Sequence, residues 1–110
     1  MTLKRSLFGK EITCDVTVLD EGLSVQLYGG DKSHIGAISV VEPGEETKTT
    51  VFPGHKEHYI TRPWAEKLAE RTGTRVAVLC GIHYEEASPA QIQEIMSLVE
   101  KLLEEIMMEI

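Results

Sequence analysis

The sequence predicts an α+β fold in the order ββββαβα, an antiparallel sheet of about five strands closed by a long C-terminal helix. Three observations predict it. Apolar residues alternate with polar ones through the first half of the chain, the period of half-buried strands. The period changes to helical after Pro63 and returns to two at Arg75. A last amphipathic run then extends from Ser88 to the terminus.

Each element has a local cause. Ile12, Cys14, Val16 and Val18 alternate with Thr13, Asp15 and Thr17, and Asp20-Glu21-Gly22 turns the chain. Leu23, Val25 and Leu27 form the second strand, which ends at Gly29-Gly30. A third strand covers Ile35 to Val41. Pro43-Gly44 suits a type II turn, and a fourth strand covers Thr47 to Phe52, completing a meander of four. Pro63 suits the first position of a helix carrying Ala65, Leu68, Ala69 and Thr72 on one stripe, with Gly73 as its C-terminal cap. The fifth strand, Arg75 to Ile82, puts Val76, Val78, Cys80 and Ile82 on one face. Ser88-Pro89-Ala90-Gln91 is a capping box, after which Ile92, Ile95, Met96, Val99, Leu102, Leu103, Ile106 and Ile110 recur at helical spacing.

Composition bounds the function. A chain of 110 residues, 42% hydrophobic and 26% charged, makes a single domain over residues 1–110 with one modest core. No apolar run approaches the ~20 residues that span a bilayer, and the first residues do not read as a signal peptide. A net charge of −7 with no basic stripe argues against nucleic-acid binding. Cys14 and Cys80, inside apolar alternation, read as buried free thiols of a cytoplasmic protein.

The chemistry concentrates at three glycine-marked junctions: Gly29-Gly30-Asp31-Lys32-Ser33-His34, Pro53-Gly54-His55-Lys56-Glu57-His58 and Gly81-Ile82-His83-Tyr84. Each short turn reverses the chain. Calling the start of the first strand the near end, the junctions at Gly29, Pro53 and Gly81 all fall there. So do all four histidines and the N-termini of both helices, whose unpaired N–H groups favour an anion. Lys32, Lys56 and Arg62 add positive charge, which suits a phosphate or carboxylate.

Other chemistries compete for the same residues. His55-Lys56-Glu57-His58 and Cys80-Gly81-Ile82-His83 carry pairs that zinc accepts, but strand alternation turns Cys80 and His83 to opposite faces, and a bound metal is not expected. Asp31 beside His34 and His83 is an alternative carboxylate–imidazole site. Ser33 beside His34 makes no triad, and a buried Cys80 disfavours its thiolate. Trp64 reads as a core or interface anchor before a ligand platform. The surplus apolar character of the last helix at Leu98, Met107 and Met108 points to a partner surface.

The segments Gly29-Gly30-Asp31-Lys32-Ser33-His34-Ile35-Gly36-Ala37, Pro53-Gly54-His55-Lys56, Arg62-Pro63 and Gly81-Ile82-His83-Tyr84 resemble the LpdD-like domain, from about Lys10 to the C-terminus. That family includes the small D subunit of gallate decarboxylase. The resemblance implies a prenylated-flavin chaperone, a non-catalytic accessory protein that helps deliver or mature prenylated FMN for UbiD-type decarboxylases. The strand order is also similar to the proteasome-assembly-chaperone fold, which implies a homodimer. Placing FMN or its prenylated form at the near end assigns its binding to Gly30, Asp31, Lys32, His34, His55, Lys56, His58, Arg62, His83 and Tyr84. The alternatives are an assembly chaperone or protein-docking module without a small ligand, and a small metal-dependent enzyme using the histidines.

Overall fold

Strand alternation, two tight turns and one crossing segment build a single mixed sheet, described by a computed structural model of residues 1–110. Its elements in chain order are β1 (Thr2–Leu7), β2 (Lys10–Leu19), β3 (Gly22–Gly30), β4 (Ala37–Val41), β5 (Lys48–Val51), α1 (His58–Thr72), β6 (Val76–His83) and α2 (Pro89–Glu109). The strands lie in the order β1-β2-β3-β6-β4-β5. All neighbours are antiparallel except β3 and β6, which run parallel with Leu27 opposite Cys80 and Gly30 opposite His83.

The α+β class and the ending on a long helix agree with the sequence, but the neighbours are not those of a simple meander. Residues 37–41 do not pair with β3; β6 inserts between them. Burial explains the insertion. The run from Val76 to Ile82 is apolar or glycine at every position, which suits the centre of a sheet. Strand directions depend only on the turns, so they survive the change of neighbours.

A sixth strand, β1, was invisible to pattern reading because it offers few apolar residues. Its turn uses Phe8 at φ 52° followed by Gly9 at φ 74°. A bulky residue in left-handed backbone is rare, and no Asn-Gly pair announces the hairpin. Contacts elsewhere hold it: the Phe8 ring sits edge-on to Tyr84 at 5.8 Å, and the Tyr84 hydroxyl donates to the Leu7 carbonyl at 2.9 Å. Arg5 is ion-paired with Glu105 of α2.

Both helices pack on one face. Ile12, Cys14, Val16, Val25, Leu27, Val78 and Cys80 from the strands join Trp64, Leu68, Val99, Leu102 and Ile106 in one buried cluster. Each large aliphatic side chain so buried contributes roughly 1.5–3 kcal/mol. Trp64 is therefore a core residue. Of the predicted surplus on α2, Leu98 and Met107 pack against the core, while Met108 is 83% exposed. The capping box at Ser88 and the left-handed cap at Gly73 form as expected. Helix α1 begins at His58 rather than Pro63. Glu57 stands at its N-cap, and Pro63 lies within the helix, forgoing one backbone hydrogen bond.

Candidate functional site

After β3 the chain must cross the end of β6 to reach the far side of it. Residues 31–36 make this crossing by hydrogen-bonding to β6 as they pass. The amides of Asp31, His34 and Gly36 donate to the carbonyls of His83, Gly81 and Cys80 at 2.7, 3.4 and 2.9 Å. The crossing is tight enough that a Cβ on Gly81 would overlap the carbonyl of His34. A Cβ on Gly36 would overlap the Glu57 carboxylate. Both glycines therefore hold open the space in which His34 and Glu57 meet.

The histidines gather at the near end as strand direction requires. The rings of His34 and His55 lie 4.5 Å apart, tilted by 33°, and those of His34 and His83 lie 6.3 Å apart, edge to face. His58, on the first turn of α1, stands apart and stacks on Tyr59 at 4.2 Å. Its Nδ1 is buried without a hydrogen-bond partner.

The centre of the cluster is a residue missing from the predicted set, Glu57. Its Oε1 lies 2.8 Å from Nε2 of His34, and its Oε2 lies 3.8 Å from Nδ1 of His55 and accepts from the Lys56 amide at 3.1 Å. A signal existed in the sequence, since Glu57 lies between two histidines at a junction already singled out. Its role depends on α1 starting one residue later, which pattern reading placed at Pro63.

The other expected residues are placed as follows. Gly30 ends β3 beside His83. Asp31 accepts from the Glu85 amide at 2.9 Å and pairs with Lys10 at 3.8 Å. Lys32 lies exposed on the crossing segment. His83 reaches Glu85 at 3.2 Å, and Lys56 lines a cavity with it. Arg62 is directed along its helix to Glu66 at 3.6 Å. The carboxylate of Glu57 lies where an anion at the start of α1 was expected. Cys80 is wholly buried while His83 is exposed, so these two share no ligand.

The cavity measures about 230 Å³. Ile60, Ile82, Tyr84, Ile92, Ile95 and Met96 form its apolar walls, joined by Lys56, Glu57 and His83. It lies between the start of α1, the end of β6 and the first turns of α2. A recess of about 360 Å³ on the sheet face away from the helices is polar, lined by Thr2, Asp15, Thr17, Ser24 and Gln26, and holds no histidine.

This combination defines a mixed sheet covered on one face by two helices, with an apolar hollow at one end. A chain in a crystal structure described as a novel chaperone complex for yeast 20S proteasome assembly shares the fold, with a TM-score of 0.61 at 13% identity, covering 99% of this chain and 96% of that one. The family described as the prenylated flavin chaperone LpdD-like domain matches residues 7–110, and the chain belongs to that family. The match begins at Leu7 rather than Lys10, so the end of β1 is part of the domain. No curated protein matches the chain. Family membership supports a chaperone or accessory role, and such a role implies a partner protein. No helix is long and apolar enough to cross a membrane.

Proposed function

We propose that this chain holds prenylated FMN, or FMN itself, for delivery to or maturation in a UbiD-type decarboxylase, without catalysing a reaction of its own. The observation that carries the proposal is the apolar cavity beside the histidine cluster in a chain of this family. Its aliphatic walls fit the ring system and the added prenyl carbons. Its volume of about 230 Å³ falls below the roughly 300–1,000 Å³ of sites that enclose a whole ligand. The ribityl phosphate therefore stays outside, at the rim that Lys56 lines. A half-enclosed cofactor suits a protein that must give it up. The cofactor supplies decarboxylation chemistry only in the client; here the residues need only bind and shield it.

Tyr59, Ile92 and Met96 are exposed at the same end, which favours docking of the client there. We place the protein in the cytoplasm, where its two free thiols persist, and read it as a homodimer.

The test is titration with FMN and with its prenylated form in low salt. Binding should weaken with added salt, and Lys56→Ala or His83→Ala should each weaken it about tenfold, equivalent to about 1.4 kcal/mol. Ile92→Asp should abolish it. No binding at millimolar ligand would overturn the carrier reading and leave the docking module in its place.

A further inference from the structure

Three ligand atoms, one each from the crossing segment, the loop before α1 and the N-cap of α1, converge at the near end. Those of His34, His55 and Glu57 all lie within 4.8 Å of one another. The side chains of Glu57 and His34 are 10% and 16% exposed, and that of His55 is 36% exposed. The cluster is thus shielded on one side and open on the other.

The convergence of three side chains on one point carries the inference. Nε2 of His34 faces Oε1 of Glu57 at 2.8 Å, and its Nδ1 lies 3.3 Å from the carbonyl of Lys32. A hydrogen bond between the His34 imidazole and the carboxylate accounts for His34 alone. It leaves unexplained why His55 stacks at 4.5 Å on the same ring and turns its Nδ1 to the same carboxylate. A cation bound by all three explains both. The Lys32 carbonyl then plays the part that metal-bound histidines require at their far ring nitrogen.

We propose that His34, His55 and Glu57 form a binding site for a divalent first-row metal ion, with zinc the best fit. Two imidazoles and one carboxylate, without thiolate, are a set that zinc accepts while keeping a position open. Ligand atoms around a tetrahedral zinc stand roughly 3.3 Å apart. The separations of 2.8 and 3.8 Å run to different oxygens of Glu57, and the three ligand atoms lie within 4.8 Å of one another, so the side chains close in by about an ångström to seat the ion. A dication on Glu57 also reverses the sign of the charge at the start of α1, where the bare carboxylate repels anions. The proposal uses none of the cavity's apolar walls and stands independently of the flavin reading.

The experiment is titration of the untagged, chelator-stripped chain with zinc by calorimetry and with cobalt by visible absorption, without flavin. One ion per chain is expected, with cobalt giving the ligand-field bands of a low-coordinate site. His34→Ala, His55→Ala and Glu57→Gln should each weaken binding by at least about tenfold. Glu85→Gln, which alters the carboxylate beside His83, should leave it unchanged. Because the His55 ring lies outside the core, His55→Ala keeps the test decisive should Glu57→Gln fail to fold. Absence of binding at hundred-micromolar metal, or binding that survives His55→Ala, would overturn the site.

Discussion

Nε2 of His34 lies 2.8 Å from Oε1 of Glu57, although 23 residues separate them. One residue reaches the site by crossing over β6, the other by starting a helix. The two glycines that leave room for this meeting have different neighbours, and their substitutions should differ accordingly.

Gly81→Ala sets a methyl group against the backbone of His34, which hydrogen bonds to β6 hold in place. It should destabilise the fold by about 2–3 kcal/mol in urea denaturation. Gly36→Ala meets the end of the Glu57 side chain, which can swing aside. It should cost less than about 1 kcal/mol while separating Glu57 from His34. Equal losses for the two would contradict the crossing geometry.

The Tyr28 hydroxyl and the Thr2 hydroxyl donate to the Asp15 carboxylate at 2.8 and 2.7 Å. The Thr2 bond first, then the Tyr28 bond, holds the Asp15 carboxyl below its usual range, while the same contact with Asp15 raises the Tyr28 phenol. Asp15 therefore adds stability above its unfolded-state value, lost as pH falls through its lowered folded value. Tyr28 adds stability below its unfolded-state value, lost as pH rises through its raised one. In a profile of melting temperature against pH, Tyr28→Phe should flatten the alkaline limb and shallow the acid one. Asp15→Asn should remove its share of the acid limb, and unchanged limbs in both variants would refute the assignment.

Burial pushes the Cys14 thiol up to about 12 and raises that of Cys80 further. The two cysteines sit in register with Leu27 on the strand between them, a separation of roughly two 4.8 Å strand spacings, too far for a disulfide. The native chain should resist a thiol reagent at neutral pH and react at both positions once unfolded. Rapid labelling of either cysteine in the native state would show that the core opens.

Exposed Met108 leaves apolar surface near the end of α2 on a small acidic domain. Sedimentation at micromolar concentration should give a dimer, and Met108→Glu should weaken it by about tenfold. A monomeric parent chain would refute the dimer.

Much of the fold was legible because it is written locally. Alternation at Ile12–Val16 and Leu23–Leu27, the Pro43-Gly44 turn, the box at Ser88 and the cap at Gly73 are short-range signals, and all appear where the residues put them, whereas Val18 at the end of β2 is exposed. The gathering of His34, His55 and His83 was legible for the same reason, because counting reversals fixes which end of a sheet a junction reaches whatever its neighbours are. The start of α1 was not legible, because Glu57 caps it without a side-chain hydrogen bond and Pro63 lies within the helix against its own preference for the first turn.

The sequence by itself determined the α+β class, the direction of every strand from β2 onward and the end of the sheet where the histidines lie. Tertiary structure decided the rest. It placed β6 between β3 and β4, because a parallel pairing is chosen by burial of a strand apolar on both faces and not by any turn. It made a strand of Thr2–Leu7, whose support comes from Tyr84 and Glu105 far along the chain. It set Glu57 beside His34, because a side chain's partner depends on which backbones are brought side by side, whereas the Arg62–Glu66 pair is a local contact one turn apart in α1.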